Sequence, residues 1–418
     1  MLSRIFSVKF VTVLISFIFS IVLTNTLSQS DVGVYLTGMT LMAVISIFVK
    51  SGFDTYLIKI NADITDKFSN YCNLVLLTLI PYAISISVWL IFFIKQDNVF
   101  LLFVIAAWSM SYFMITSAYL KTLGKIKLAT IVESSLLHLL LIIVYLTLPI
   151  DINLYNSIVI LFTISTFLSI CIFVLLYLNN RSKINLWKIS FVESFSKSFS
   201  IMLTNLLDFL VIWLPSFILF LYATTEITAQ FQIALRVSIL AALPLMALNN
   251  ISSPIIALYL KRSATFKLSE LLQTSSLLGA FVTSMLIVFL LVFKDTVFGF
   301  FGDDYIIETP LLMLLLAGQF VNVISGSVGL TLMISGYGWV HFINSVLGIV
   351  LSLIVAAFVM PQDLIIGATI GTMLAISIKN ILGVICVYKI FKIVALPNRQ
   401  AFSNLKIKRI NEILSHRN

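Results

Sequence analysis

The run YNSIVILFTISTFLSICIFVLLYL, residues 155–178, carries no charged side chain from end to end. It shows no alternation of the kind a half-buried strand needs and no polar face, so it reads as a helix that is apolar all round. At about 1.5 Å rise per residue it is long enough to cross a hydrocarbon core of roughly 30 Å. The solvent around this segment is therefore lipid.

The same pattern recurs on both sides. Runs at 10–27, 32–49, 71–94, 99–118 and 128–147 precede it, and runs at 198–221, 228–257, 271–293, 308–334, 341–360 and 365–388 follow. Of the 418 residues 60% are hydrophobic and 10% charged, more apolar surface than a water-soluble core can bury. A membrane β-barrel would show short alternating segments, and none occur. The expected fold is an all-α integral membrane protein of about 12 transmembrane helices in two pseudo-symmetric six-helix bundles. The expected organisation is an N-terminal bundle over 1–180, a cytoplasmic connection over 181–197, a C-terminal bundle over 198–392 and a basic tail over 393–418. The first run lacks a small-residue cleavage site and is expected to stay as the first helix. Pro244 and Pro254 predict a bend in the eighth span.

Orientation follows from the lysines and arginines, which are retained on the cytoplasmic side of short loops. Placing the amino terminus inside collects Arg4, Lys9, Lys50, Lys59, Lys67, Lys121, Lys125, Lys127 and the basic residues of the connection and tail on one side. Only Lys95 and Lys294 fall in outer loops, together with Asp31, Asp97, Asp151, Glu226, Asp295, Asp303, Asp304, Glu308 and Asp363. Both termini are expected to be cytoplasmic. The net charge of +9 is then a consequence of topology, and no nucleic acid is expected as a partner. Ala401 to Arg417 reads as an amphipathic helix lying on anionic headgroups, so membrane lipids are expected partners. Cys72, Cys171 and Cys386 sit inside apolar runs as packing residues and imply neither a disulfide nor a metal site.

The halves repeat weakly. Ser30-Asp-Val-Gly-Val-Tyr35 opens the second span where Thr225-Glu-Ile-Thr-Ala-Gln230 opens the eighth, and Leu120-Lys-Thr-Leu-Gly124 matches Leu332-Met-Ile-Ser-Gly336 between the next equivalent spans. Six spans per half give both halves one orientation, a parallel repeat whose seam is the expected pathway.

Charges inside spans cost roughly 2.5–3.5 kcal/mol on insertion scales, so they face a cavity or a partner. Asp208 and Arg236 fall at similar depth near mid-membrane, either as a static ion pair or as cavity-lining groups. Thr204, Asn205 and Asp208 share one helical face. Lys379 lies too deep to snorkel easily, and with Arg236 it would attract a diphosphate. Glu133 is placed to accept a proton or pair with a cation; Ser134 and His138 lie one turn apart, His138 as a structural or a relaying histidine. His341, Asn344, Ser345 and Ser352 form one polar stripe, and Gln319, Asn322 and Gly326 another, serving helix packing or sugar contact. Lys50 and Asp54 are one turn apart near the inner surface, as an interfacial pair or a gate. If an ion gradient of protons or sodium drives the protein, Glu133 and Asp208 are the candidate carriers.

Taken together, the chain resembles the multidrug, oligosaccharidyl-lipid and polysaccharide exporter (MOP) superfamily, and within it the bacterial Wzx polysaccharide flippases. The resemblance runs through Asp31-Val-Gly-Val-Tyr35, Val49-Lys-Ser-Gly-Phe-Asp54, Tyr119-Leu-Lys-Thr-Leu-Gly-Lys125, Phe301-Gly-Asp-Asp-Tyr305, Leu315-Leu-Ala-Gly-Gln-Phe320, Val321-Asn322, Leu332-Met-Ile-Ser-Gly336 and Ile366-Gly-Ala-Thr369. It implies a V-shaped pair of bundles in a bacterial inner membrane, alternating between inward-open and outward-open forms without a cofactor. The implied cargo is an undecaprenyl-diphosphate-linked oligosaccharide such as an O-antigen or capsule repeat unit. A polysaccharide polymerase and chain-length machinery are the implied protein partners. Two rivals remain at this stage. A membrane glycan polymerase or ligase would need a sizeable outer loop with a nucleophile and base, which the connection near Lys294 to Ile307 does not supply. A drug or cation exporter would share the fold and differ in the charge of its cavity.

Overall fold

The computed structural model describes residues 2–61, 67–93, 99–147, 152–180 and 190–398. The amphipathic segment from Ala401 to Arg417 and residues 181–189 of the connection lie outside them. The described residues form two compact units, Met1–Leu206 and Leu207–Asn418.

The first unit contains α1 (Leu2–Thr26), α2 (Gln29–Lys50), α3 (Phe53–Ile60), α4 (Lys67–Leu77), α5 (Leu79–Phe93), α6 (Val99–Thr122), α7 (Ile126–Ser134), α8 (Leu136–Thr147), α9 (Leu154–Asn179) and the first half of α10 (Phe191–Tyr222). The second contains the rest of α10, then α11 (Thr225–Ile239), a 3-10 turn at Leu240–Ala242, α12 (Leu243–Lys261), α13 (Thr265–Val292), α14 (Lys294–Gly299), α15 (Thr309–Ile324), α16 (Val328–Ile334), α17 (Gly338–Val359) and α18 (Leu364–Phe391). Among the described residues nine helical stretches are long and apolar enough to span a bilayer, and two bent pairs, α7 with α8 and α15 with α16, raise this to eleven. The shorter apolar stretch Phe10–Thr26 accounts for the remaining span expected from sequence.

Burial is organised for lipid. Phe167, Leu175, Phe281, Met285 and Phe358 point outward, whereas serines, threonines, asparagines and glutamines fill helix contacts. Small residues allow the close approach that helices need where lipid offers no hydrophobic drive to associate. Gly38 of α2, for example, lies under the ring of Phe103 on α6, where any Cβ would collide.

Each break in a span has a local cause. Pro81 cannot accept the geometry of a continuous helix four residues after Leu77, and the chain kinks at Thr78. Pro244 acts in the same way on Leu240, where a 3-10 turn interrupts the eighth span, while Pro254 sits inside an unbroken α12. Between α15 and α16 the 47° bend comes instead from Gly326, whose φ of +68° leaves the helical region. The Ser276 hydroxyl donates to the Ile324 carbonyl beside that bend. The two turns matched as a repeat, at Gly124 and Gly336, both adopt positive φ, +73° and +88°. A left-handed residue is required in each, and glycine supplies it without strain.

The boundary between units falls at Leu206, inside α10, whereas the sequence places it in the connection 181–197. The reason is that the first turns of α10 are tied to the first unit. Phe191 meets Phe53 edge to face at 6.2 Å, and Ser198 donates to the Ser51 carbonyl at 2.6 Å.

In the second unit α17 and α18 run closely side by side. A Cβ on Gly348 would lie 2.8 Å from the Ala375 carbonyl oxygen and 3.4 Å from the Lys379 Cβ. Gly348→Ala is expected to force the helices apart at a cost of about 1–3 kcal/mol, read as a lower unfolding temperature in detergent. Gly299→Ala, where the added methyl meets open space, serves as the control and should leave that temperature unchanged.

Candidate functional site

The close contact of α17 and α18 brings three ionisable side chains together from distant parts of the sequence. His341 Nε2 lies 3.0 Å from Asp208 Oδ1 and 3.2 Å from Oδ2. Lys379 Nζ donates to Asp208 Oδ1 at 3.1 Å, and the Ser345 hydroxyl approaches the same oxygen at 3.4 Å. The carboxylate is the shared acceptor. His341 and Lys379 are nearly enclosed, with side chains 8% and 14% accessible, whereas Asp208 keeps 35%. The cluster thus has an open side, and it is the anion that faces it.

Sequence depth paired Asp208 with Arg236, and the structure corrects this. Asp208 is taken by α17 and α18, while the Arg236 guanidinium stacks over Trp213 with its carbon 5.5 Å from the ring centroid. Trp213 lies five positions after Asp208 along α10, so the two cationic contacts of this helix occur at different levels. A guanidinium over an indole is held through the ring quadrupole. His341 comes from the first turn of α17, whereas Asp208 and Lys379 come from the middles of α10 and α18.

A second polar line runs between α15 and α18. Asn380 Nδ2 donates to Asn322 Oδ1 at 3.1 Å, and Asn322 Nδ2 lies 3.4 Å from Gln319 Oε1. Asn380 follows Lys379 directly, so α18 presents an ammonium and an amide to two neighbouring helices. Sequence reasoning passed over Asn380 and Trp213; a polar pair in an otherwise apolar span was the available signal for the first. The α17 stripe divides, because His341 and Ser345 face Asp208 while Asn344 faces Cys386, whose Sγ is 3.8 Å from Asn344 Oδ1. Gly329 of α16 backs the imidazole so closely that a Cβ would lie 2.7 Å from His341 Cε1. Asn205, one turn before Asp208, is half-buried on α10.

The remaining candidates lie in the first unit and form separate local pairs. Glu133 Oε2 accepts from Lys121 Nζ and from the Ser117 hydroxyl, each at 2.7 Å. His138 Nδ1 is 3.1 Å from the Ser16 hydroxyl, with the ring 5.1 Å from that of Phe19. The side chain of Ser134 lies outside the described residues. Lys50, 4% exposed, bonds Asp54 at 2.6 Å across the α2–α3 turn. Among the described residues no group of histidine, cysteine and carboxylate side chains has the arrangement of a metal centre.

No protein-family model matches the sequence, and no curated protein matches it. Solved structures do match over nearly the whole chain. An inward-facing multidrug-resistance MATE family transporter of the MOP superfamily is similar with a TM-score of 0.64 and 15% identity, over 91% of this chain and 94% of that one. Its outward-facing counterpart gives 0.63 and 14%, over 94% and 96%. A MOP superfamily transporter from Pyrococcus furiosus Vc1, for which reverse polarity of the binding pocket suggests a different function, gives 0.64 and 14%, over 94% of each chain. The chain therefore has the all-helical MATE fold of the MOP superfamily.

Replacing Asp208 by Asn leaves the Lys379 ammonium enclosed without a counter-charge. A loss of about 1–3 kcal/mol is expected, below the full value for a buried pair because the carboxylate is partly accessible. Adding Lys379→Met should recover most of the loss in thermal unfolding; strictly additive effects would mean that the two groups are not coupled.

Proposed function

We propose that this protein is a flippase that carries undecaprenyl-diphosphate-linked oligosaccharide repeat units across the bacterial inner membrane by alternating access, for surface polysaccharide assembly. One observation carries the reading: two cations lie within spans of the second unit, Lys379 held by Asp208 and Arg236 stacked over Trp213. Asp208 holds Lys379, and an incoming diphosphate would compete for the same ammonium. Arg236, over Trp213, would add a guanidinium, whose planar fork matches phosphate better than a lysine ammonium does. Gln319, Asn322 and Asn205 supply amide groups of the kind that bind sugar hydroxyls. Displaced from Lys379, Asp208 retains His341, and this is where a proton or sodium gradient would act, with Glu133 the corresponding group of the first unit. Polymerase and chain-length proteins would receive the flipped units.

A second reading, a drug or cation exporter of the same fold, draws on the fact that the carboxylate is the most accessible member of the cluster. A strain lacking the gene separates the two. Loss of surface polysaccharide with lipid-linked repeat units retained on the inner leaflet is expected, whereas intact surface glycan with altered drug efflux would establish the rival. In the complemented strain Arg236→Ala should impair export by about tenfold or more and Arg236→Lys by less, the worth of one charge-assisted contact. Near-normal glycan in both strains would remove phosphate recognition from Arg236.

A further inference from the structure

The span 309–334 is broken at a place where no proline forces a break. Pro310 stands in its first turn and none follows, yet α15 ends at Ile324, α16 begins at Val328, and the two axes differ by 47°. The bend rests on Gly326, whose φ is +68°. Glycine adopts helical φ as readily, so this interruption can close. The 3-10 turn before Pro244 cannot, because proline has no amide hydrogen with which to restore the missing bond.

Side chains of two neighbouring helices flank the bend. Ser276 of α13 donates to the Ile324 carbonyl on one side of it, and Ser327 on the other side donates to Asn249 Oδ1 of α12 at 2.6 Å. Beyond Ser327, the one polar side chain of α16 is Thr331, and its hydroxyl bonds back to the Ser327 carbonyl at 2.9 Å. Val328 and Leu332 pack among Ile256 of α12, Leu272 of α13 and Val387 of α18. Apolar contacts are non-directional and let a short helix shift where hydrogen bonds would not. Gly329 lies against the imidazole of His341, where a Cβ would sit 2.7 Å from Cε1. The neighbouring ring atom, Nε2, bonds Asp208 at 3.0 Å. The ring is therefore wedged between a carboxylate and the backbone of α16, and in close-packed surroundings neither can move without it.

We propose that α16 is a hinged half-span, pivoting at Ser325-Gly326-Ser327 and held in its bent position by His341 while that ring is bonded to Asp208. When Asp208 turns to another partner the ring is released, and α16 swings towards the axis of α15. From Val328 to Ile334 the half-span is about 9 Å long at 1.5 Å per residue, so closing the 47° bend carries its far end about 7 Å. A change of partner at one carboxylate thereby becomes a movement of the chain at the turn that follows α16. Every residue in this linkage belongs to the second unit, and the hinge operates whatever the protein carries.

The test is double electron–electron resonance on the full-length protein in lipid nanodiscs. Cys72→Ser, Cys171→Ser and Cys386→Ser clear the background, and nitroxides go on Met333→Cys of α16 and Phe266→Cys of α13, both exposed positions. With no further change, one dominant distance is expected. His341→Ala removes the ring and should add a second population displaced by about 4–7 Å, the scale of the swing. Gly326→Ala should do the same, since alanine is strained at positive φ and unstrained in a helix. If that variant does not fold, Ser276→Ala, which lacks the bond to the Ile324 carbonyl, takes its place with the same expectation. An unshifted distance in folded His341→Ala would overturn the linkage to the charge cluster. An unshifted distance in the folded Gly326 or Ser276 variant would show a fixed kink and overturn the hinge. Neither result bears on glycan export, so the flippase reading is decided separately by the deletion strain.

Discussion

An ammonium group enclosed among helices in a bilayer must have a counter-charge, and for Lys379 that group is Asp208. The pair joins residues 171 positions apart and so fixes α10 against α18. His341 and Ser345 add α17 to the same carboxylate. Three helices are thereby held in register by one acceptor, and the arrangement stands only while Gly348 lets α17 and α18 approach. The polar line from Asn380 through Asn322 to Gln319 extends the register to α15.

The first unit meets the same demand through shorter-range pairs. Lys50 with Asp54 and Lys121 with Glu133 each join helices that are neighbours along the chain. Its core is instead aromatic. Tyr71 and Tyr119 stack at 4.7 Å, and Tyr71 shares a hydrogen bond with Thr116 at 2.9 Å. Stacked rings with satisfied hydroxyls make a rigid, neutral interior, whereas the second unit carries an ion pair with one accessible side. Chemistry is thus concentrated in the second unit, on helices whose breaks, at Gly326 and Pro244, lie near the polar residues they position.

The MATE fold leaves pocket polarity as the variable that a sequence can change without changing the architecture. In this chain the charged cluster and an apolar lining share α10, α17 and α18.

The sequence by itself determined the helical class, the approximate span limits, the interruption at Pro244 in the eighth span and the glycine-closed turns at Gly124 and Gly336. These are local properties: chain length in apolar runs, a missing amide hydrogen, a residue free to adopt positive φ. It also singled out Asp208, Arg236, His341 and Lys379, because a charge or imidazole in an apolar run is conspicuous whatever surrounds it. Depth along a helix does not specify azimuth or neighbour, and so the partner of Asp208 was misjudged. Only the tertiary structure decided that α17 and α18 deliver His341 and Lys379 to that carboxylate while Arg236 turns to Trp213. It likewise moved the unit boundary into α10, since the contacts of Phe191 and Ser198 with the α2–α3 turn leave no trace in hydropathy. Pairing across long stretches of chain depends on which faces meet, and that is a property of the packed helices together rather than of any one of them.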